Sequence, residues 1–446
     1  MKKNPETISL IGAGLVGSLL AVYLAKRGYK VNVYERRPDM RKEKIAAGRS
    51  INLALSERGW KGIAGAGLEE AVREIAIPMK GRMVHAVDGQ TSFQPYGKVN
   101  EAIYSVSRGG INMKLMDLAE QQDGVQLFFN HKCEEVDLEK GLMRFETAEG
   151  KKQLQSDLIF GSDGAFSPLR DAMQRTDRFD YSQTYIEHSY KEMAIEANAD
   201  GSFKLEKNAL HIWPRKNFML IALPNMDGSF TCTLFFQFKG PLSFSSVKTE
   251  EECEVFFKTY FPEIIELIPE YKKQFFGNPT SSLQTVRCYP WVYKNKAVLI
   301  GDAAHAIVPF FGQGMNCGFE DCTVLNELMN TYNENWDEVF PRFQEMRKPN
   351  SDAIAELALN NFIEMRDLVA DPVFLRKKQI EKMIANKFPD RFIPPYSMVS
   401  FNHIPYSEAL SKGKKIGELL GKLYEVENLE SVFDSDSVIQ LIESYL

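Results

Sequence analysis

The residues most ready for chemistry lie between Val298 and Asp321, in the run Val-Leu-Ile-Gly-Asp-Ala-Ala-His-Ala-Ile-Val-Pro-Phe-Phe-Gly-Gln-Gly-Met-Asn-Cys-Gly-Phe-Glu-Asp. An apolar strand that ends in an acid, here Asp302, delivers that acid to the ligand crevice of an open α/β sheet. The loop 309–314 then brings backbone N–H groups to a helix predicted from about Met315. The start of such a helix attracts anionic or electron-rich ligand atoms. A second set stands near the beginning: Gly12-Ala-Gly-Leu-Val-Gly17, with Glu35 further on. Gly12 suits a tight turn, Gly14 a close approach of a pyrophosphate, and Gly17 close packing of helix on strand. Glu35 falls where an acid bonds a ribose hydroxyl. Arg36, Arg37 and Arg41 follow, and of these Arg37 is placed on an adenosine diphosphate.

No Ser-His-Asp arrangement or carboxylate pair is evident, so no side chain is assigned as a catalytic acid, base or nucleophile. The six histidines form no ligand-spaced cluster, and no metal site is expected. His305 is expected to pack against its loop. The six cysteines lack a Cys-x-x-Cys pair, which favours reduced thiols over a disulfide framework.

These groups need a scaffold, and 446 residues are enough for two domains or one domain with a large insert. A net charge of −6 argues against a nucleic-acid partner. The polar start, 1–7, reads as no signal peptide, and no apolar run is long enough to cross a membrane.

A strand at 8–11, a helix at 18–27 and a strand at 31–34 make a βαβ unit. The segment 48–56 is either a strand beside the ligand or plain core. Strands are predicted at 83–86 and 91–96 around Asp88-Gly89, at 104–108, at 127–130 and at 158–160. Helices are predicted at 110–121 and from Ser167-Pro168, an N-cap followed by proline. Strands at 186–198, 209–213, 217–223 and 230–238, with an Asp227-Gly228 hairpin, predict an antiparallel sheet. Phe236 and Phe238 share one face of it. Beyond Asp321 the chain is expected to be helical, with breaks at Pro341, Pro349, Pro372 and Pro394-Pro395.

The fold class expected is α/β: a Rossmann-like dinucleotide domain (1–80, 97–180 and 285–330), an inserted antiparallel-sheet domain on the substrate side (81–96 and 181–284), and a C-terminal helical region (331–446).

Gly12 to Gly17 with Glu35, Gly161-Ser-Asp-Gly164, and Gly301-Asp302 stand in that order. Together they resemble the class A flavoprotein aromatic hydroxylases, the p-hydroxybenzoate hydroxylase-like family. In that family the first motif binds FAD, the Asp-Gly turn serves FAD and NADPH, and the Gly-Asp acid touches the ribityl-phosphate region. Narrower strings are similar to the kynurenine 3-monooxygenase family: Gly48-Arg-Ser-Ile-Asn-Leu-Ala-Leu-Ser56, Phe179-Asp-Tyr-Ser-Gln183, His211-Ile-Trp-Pro-Arg215, Leu223-Pro-Asn-Met226, Asn361-Phe-Ile-Glu-Met-Arg366 and Pro395-Tyr-Ser-Met-Val399.

The resemblance implies non-covalent FAD, NADPH as co-substrate, O₂, and hydroxylation of L-kynurenine to 3-hydroxy-L-kynurenine. That reaction belongs to tryptophan degradation and quinolinate/NAD biosynthesis. It implies Arg82 on the substrate carboxylate with Tyr96, Asn361 and Tyr396 closing over the amino-acid end, Phe311 beside the ring, and Phe236 in the pocket. On the flavin side it implies Gly12, Gly14, Val16, Gly17, Glu35, Arg37, Ala54, Arg108, Asp302, Gly314, Met315 and Asn316. Mitochondrial members end in a hydrophobic anchor, whereas 411–446 here is charged and amphipathic. A cytoplasmic bacterial-type enzyme without a membrane anchor is therefore expected. A flavin hydroxylase of another aromatic acid, or a flavin-bearing redox sensor, is the alternative.

Overall fold

The computed structural model of the chain describes residues 7–42, 52–97, 101–368 and 371–446, so the part of segment 48–56 before Asn52 lies outside it. Strand Thr7–Ile11 sits inside a six-stranded sheet ordered Val292–Tyr293, Ala297–Leu299, Leu158–Gly161, Thr7–Ile11, Lys30–Tyr34 and Val125–Phe128. All pairs are parallel except the first. Ile8, Leu10, Val31 and Val33 are fully buried. Their near-continuous apolar runs therefore fit a sheet covered on both faces. The chain leaves Thr7–Ile11 to one side and returns on the other, and a ligand crevice opens at that switch of direction.

The helix after this strand, Leu15–Ala25, begins three residues before the predicted start, because Gly14 already caps it in an extended conformation. Gly12 has φ +103°, a left-handed value that glycine adopts at low cost, and its N–H donates to the Tyr34 carbonyl at 2.7 Å. A Cβ on Gly17 would land on the Gly12 carbonyl oxygen, so the helix can only pack this closely with glycine there.

A second, seven-stranded sheet runs Thr280–Tyr289, Asp180–Ile195, Phe230–Gln237, Met219–Pro224, Leu210–Pro214, Gly81–His85 and Thr91–Pro95. It is mixed rather than wholly antiparallel, since Gly81–His85 runs parallel to Leu210–Pro214. Alternation decides its two faces. Val84, Ile212, Met219 and Phe235 pack on one side. Trp213, Leu220, Cys232, Leu234 and Phe236 pack on the other, against helices Glu250–Tyr260, Pro262–Leu267 and Tyr271–Gly277. Those helices lie outside the elements expected from the sequence, although Thr249 and Glu252 form a capping box at the first. The small sheet Lys132–Asp137, Leu142–Thr147 and Gly150–Gln155 is likewise an addition to the expected elements.

Two further expectations need correction. Arg108 does not end a strand. It opens helix Arg108–Glu120, whose N-cap Ser107 accepts from Gly110 N–H at 3.3 Å. Pro341 and Pro349 do not break the C-terminal region either, because both lie inside helix Trp336–Ile363. An interior proline costs ~3 kcal/mol. That helix buries Val339, Phe340, Phe343 and Ile354 completely, at roughly 1.5–3 kcal/mol each, which outweighs the two prolines. Pro372 and Pro395 do mark boundaries, as first residues of Pro372–Lys387 and Pro395–Ser400.

Behind the second sheet, His211 Nδ1 lies 2.9 Å from His85 Nε2, and His211 Nε2 lies 2.8 Å from the Glu206 carbonyl oxygen. His85 Nδ1 and Trp213 Nε1 both reach Glu263 Oε2 at 2.9 Å. Burial pushes the His211 pKa down to about 4, against the pull of the Glu206 carbonyl and of Glu263. His211 is thus neutral in the fold, whereas in the unfolded chain it takes a proton below about 6.5. Its contribution is complete above that pH and is lost as the pH falls towards about 4. Between pH 7 and 4.5 the loss should come to about 2 kcal/mol. Urea midpoints measured at both pH values should converge in His211→Gln relative to the unmodified protein. An unchanged gap would show that other groups carry the acid sensitivity.

Candidate active site

The carboxyl ends of the first sheet and the inner face of the second enclose one cavity of about 890 Å³. Gly12, Gly14, Val16, Glu35, Arg37, Ala54, Arg108, Asp302, Gly314 and Met315 line one part of it. Arg82, Phe311, Asn361 and Tyr396 line another. Residues far apart in sequence thus meet in a single space.

At the dinucleotide end, Glu35 Oε2 accepts from Ala13 N–H at 3.1 Å, and Oε1 accepts from Arg37 N–H and Nε–H at 3.0 and 2.8 Å. Gly14 has an ordinary φ, and a Cβ built there meets nothing within 4 Å. It faces the open cavity, which is the space a pyrophosphate would fill. Gly17 does not line the cavity, since its work is the packing beneath the turn.

On the facing side, Gly301 at φ +61° turns the chain so that Asp302 opens helix Asp302–His305 and points into the cavity. The surrounding protein raises the Asp302 pKa by desolvation, while Arg108 and then His305 act against this. The amides of Gly314, Met315 and Asn316 head helix Gly314–Thr331 and have no acceptor within the helix. Asn316 itself is off the cavity wall. Its side chain donates to the Ala54 and Gly312 carbonyls at 2.8 and 2.7 Å and accepts from Ser56 N–H at 2.9 Å. Only its backbone is available to a ligand. Asp163, in the Gly161-Ser-Asp-Gly164 turn, lines the cavity with both carboxylate oxygens unpartnered, and burial pushes its pKa up to about 6. An open glycine cradle, an acid at the second strand's tip and free helix amides fit an FAD.

The other end is apolar. Met219, Ile221, Leu223 and Phe235 form its wall at alternate strand positions. Phe236 therefore points away. It is fully buried against Phe218 and Phe256, and Phe235 is the pocket residue of that pair. The period of two puts Phe235 and Phe236 on opposite faces, and the helices packed on Phe236 leave Phe235 facing the cavity. Arg82 is 9 % exposed, its Nη1 is 3.7 Å from Glu364 Oε1, and its Nε has no hydrogen-bond partner. Burial opposes its charge, but Tyr96, Tyr396 and Glu364 outweigh this and raise its pKa.

Tyr96 does not line the cavity directly. It stacks on Tyr396 at 5.2 Å, Tyr396 stacks on Phe311 at 5.3 Å, and the Tyr96 hydroxyl is also unpartnered. Asn361 Nδ2 donates to the Phe310 carbonyl at 2.7 Å and pins the turn Pro309–Phe311. A buried guanidinium and hydroxyl with spare donors beside an apolar wall suit an aromatic ligand bearing a carboxylate. Met365 lines the cavity and Glu364 reaches Arg82 from a π-turn, Glu364–Leu368, inside the family-like string 361–366, whose residue types do not announce that turn.

His305, Cys317 and Asp321 bring their donor atoms within 4.8 Å of one another. Two of the three also meet a guanidinium: Arg347 donates to Asp321 Oδ1 at 2.6 Å and to the Cys317 carbonyl at 3.2 Å.

Two glycine substitutions should separate folding from cofactor binding. Gly14→Val should fold and lose FAD, because its side chain occupies empty cavity. Gly17→Val should not fold. Melting temperature and bound flavin measured on both proteins decide this. A Gly14→Val protein with full flavin occupancy would contradict the placement of the pyrophosphate.

The chain matches the FAD binding domain family over residues 6–358. Kynurenine 3-monooxygenase of Christiangramia forsetii is 50 % identical over 100 % of both chains. Kynurenine 3-monooxygenase of Dictyostelium discoideum is 45 % identical over 99 % of this chain and 98 % of its own. A tetrameric form of 2-methyl-3-hydroxypyridine-5-carboxylic acid oxygenase superposes with a TM-score of 0.68 at 18 % identity, covering 90 % of this chain and 98 % of the other. Tetracycline destructase Tet(51) superposes with a TM-score of 0.60 at 17 % identity, covering 88 % and 100 %. The two superpositions show a shared fold and nothing of the substrate. The full-length relatives narrow it further: the chain belongs to the FAD binding domain family and, within it, to the kynurenine 3-monooxygenase family.

Proposed function

We propose that the protein is an NADPH- and FAD-dependent monooxygenase that converts L-kynurenine and O₂ to 3-hydroxy-L-kynurenine, in tryptophan degradation and quinolinate/NAD biosynthesis. The observation that carries this reading is the 50 % identity over the full length to a kynurenine 3-monooxygenase, and a cavity continuous from Gly12 and Gly14 to Arg82 supports it. When bound, FAD supplies the redox chemistry: it takes reducing equivalents from NADPH and lets O₂ donate one atom to the aromatic ring.

The chain's own residues bind and orient. Arg82 holds the substrate carboxylate through its planar fork, and Tyr96, stacked on Tyr396 beside the guanidinium, backs it from outside the cavity. Tyr396 and Asn361 close the amino-acid end, and Phe311 and Phe235 flank the ring. The aniline nitrogen already enriches the adjacent ring carbon, so no protein base is needed to activate it. Met219, Ile221, Leu223 and Met365 exclude water from that region. Asp302, Arg108, Glu35 and the amides of 314–316 hold the dinucleotide.

No helix among the described residues is long and apolar enough to cross a membrane. The six cysteines are buried and free, which suits the reducing cytoplasm that we assign to the enzyme.

Flavin-loaded protein given L-kynurenine, NADPH and O₂ should form 3-hydroxykynurenine, and its flavin should be released on denaturation. NADPH oxidation without hydroxylated product, or with product only from another aromatic acid, would overturn the assignment. In Arg82→Ala, kynurenine affinity should fall by about one to two powers of ten, the loss of a charge-assisted bond of roughly 1.5–3 kcal/mol. Flavin content should be unchanged, because Arg82 lies outside the dinucleotide loop. Normal affinity in that variant would show that Arg82 has another task.

A further inference from the structure

Arg58 is the second residue of helix Glu57–Gly65, which follows directly on strand Asn52–Leu55 at the cavity wall. It is 1 % exposed. Its Nε donates to the Val399 carbonyl at 3.1 Å, and Nη2 donates to the carbonyls of Met398, at 3.3 Å, and Ile404. Nη1 donates to Glu320 Oε1 at 2.5 Å. The Tyr406 ring lies 4.0 Å from the guanidinium carbon, and the Tyr406 hydroxyl donates to Gln313 Oε1 at 2.8 Å. One side chain on the dinucleotide side thus grips three carbonyls of the C-terminal region. Two of these belong to helix Pro395–Ser400, which carries Tyr396, the middle ring of the stack over Arg82.

Stability alone does not account for this arrangement. Three of the four donations go to neutral carbonyls rather than to the Glu320 carboxylate, so most of the fork is spent on fixing backbone and not on pairing charge. What a planar fork with fixed donors supplies is geometry. We propose that Arg58 is a positioning residue for hydroxylation. It clamps helix Pro395–Ser400 to the dinucleotide side so that Tyr396 stays closed over the carboxylate end of the cavity. Tyr406 on Gln313 is the second fastening of the same clasp.

The assay rests on the hydroxylase reading, so one readout is chosen that does not. Arg58→Lys keeps a charge beside Glu320 but cannot span three carbonyls. In the flavin-loaded variant, amide exchange across 395–404 should speed up about tenfold, with exchange around 8–35 unchanged. The kynurenine KM should rise about tenfold while kcat for NADPH oxidation stays within about twofold, and a severalfold larger share of the NADPH should end as peroxide. Tyr406→Phe, which loses only the hydroxyl bond, should show the same pattern more weakly, and it carries the test if Arg58→Lys does not fold. Unchanged exchange at 395–404, or faster exchange everywhere together with flavin loss, would overturn the proposal. If the unmodified protein made no hydroxykynurenine, the hydroxylase reading would fail, and the exchange result alone would judge the clasp.

Discussion

Asp321 is wholly buried, and separate parts of the chain converge on its carboxylate. Oδ2 accepts from Gly301 N–H at 3.0 Å and faces His305 Nε2 at 2.7 Å, while Oδ1 accepts from Arg347 Nε–H at 2.6 Å. A buried carboxylate is tolerable only when its partners are in place. Burial works against the Asp321 charge, yet His305 and Arg347 hold its pKa below the usual carboxylate range. This one acid therefore fixes the turn that aims Asp302, the helix whose first amides face the cavity, and the long helix Trp336–Ile363. Arg347 goes on to Glu320 at 2.5 Å, and Glu320 to Arg58, so the same ionic cluster reaches the C-terminal region.

The cavity joins two unlike environments without a wall between them. One end is built from backbone amides, glycine and acids, which suits a phosphate-bearing dinucleotide. The other is apolar and holds one guanidinium with unspent donors, which suits a single anionic group on an aromatic body. A ring held between the two lies where water is scarce and where the protein needs only to position it. The family's chemistry asks this of its scaffold.

Much of this was legible before the structure. The βαβ unit, Glu35 and the Gly301-Asp302 turn are short-range patterns whose geometry follows from glycine conformation and strand period. Phe236 shows where that legibility stops. Alternation says that neighbouring residues face opposite ways, but only the packing of helices 250–277 says which face is the cavity. Asn316 shows a second limit, since its position near the ligand was readable but its side chain is taken up by Ala54, Gly312 and Ser56 across the sequence. Pro341 and Pro349 show a third, where local propensity predicts a break and the burial of the surrounding face overrides it. The clasp at Arg58 has no local signature, because it depends on contacts between distant segments.

The central claim is that one cavity seats an aromatic amino acid by its carboxylate on Arg82. The most direct measurement is the dissociation constant of flavin-loaded protein, read from flavin absorbance, for L-kynurenine and for its decarboxylated amine. The two ligands share the ring and the aniline nitrogen and differ only in the group assigned to Arg82. The account predicts that the amine binds weaker by about one to two powers of ten, the value of a charge-assisted bond. Equal affinity for both would contradict it.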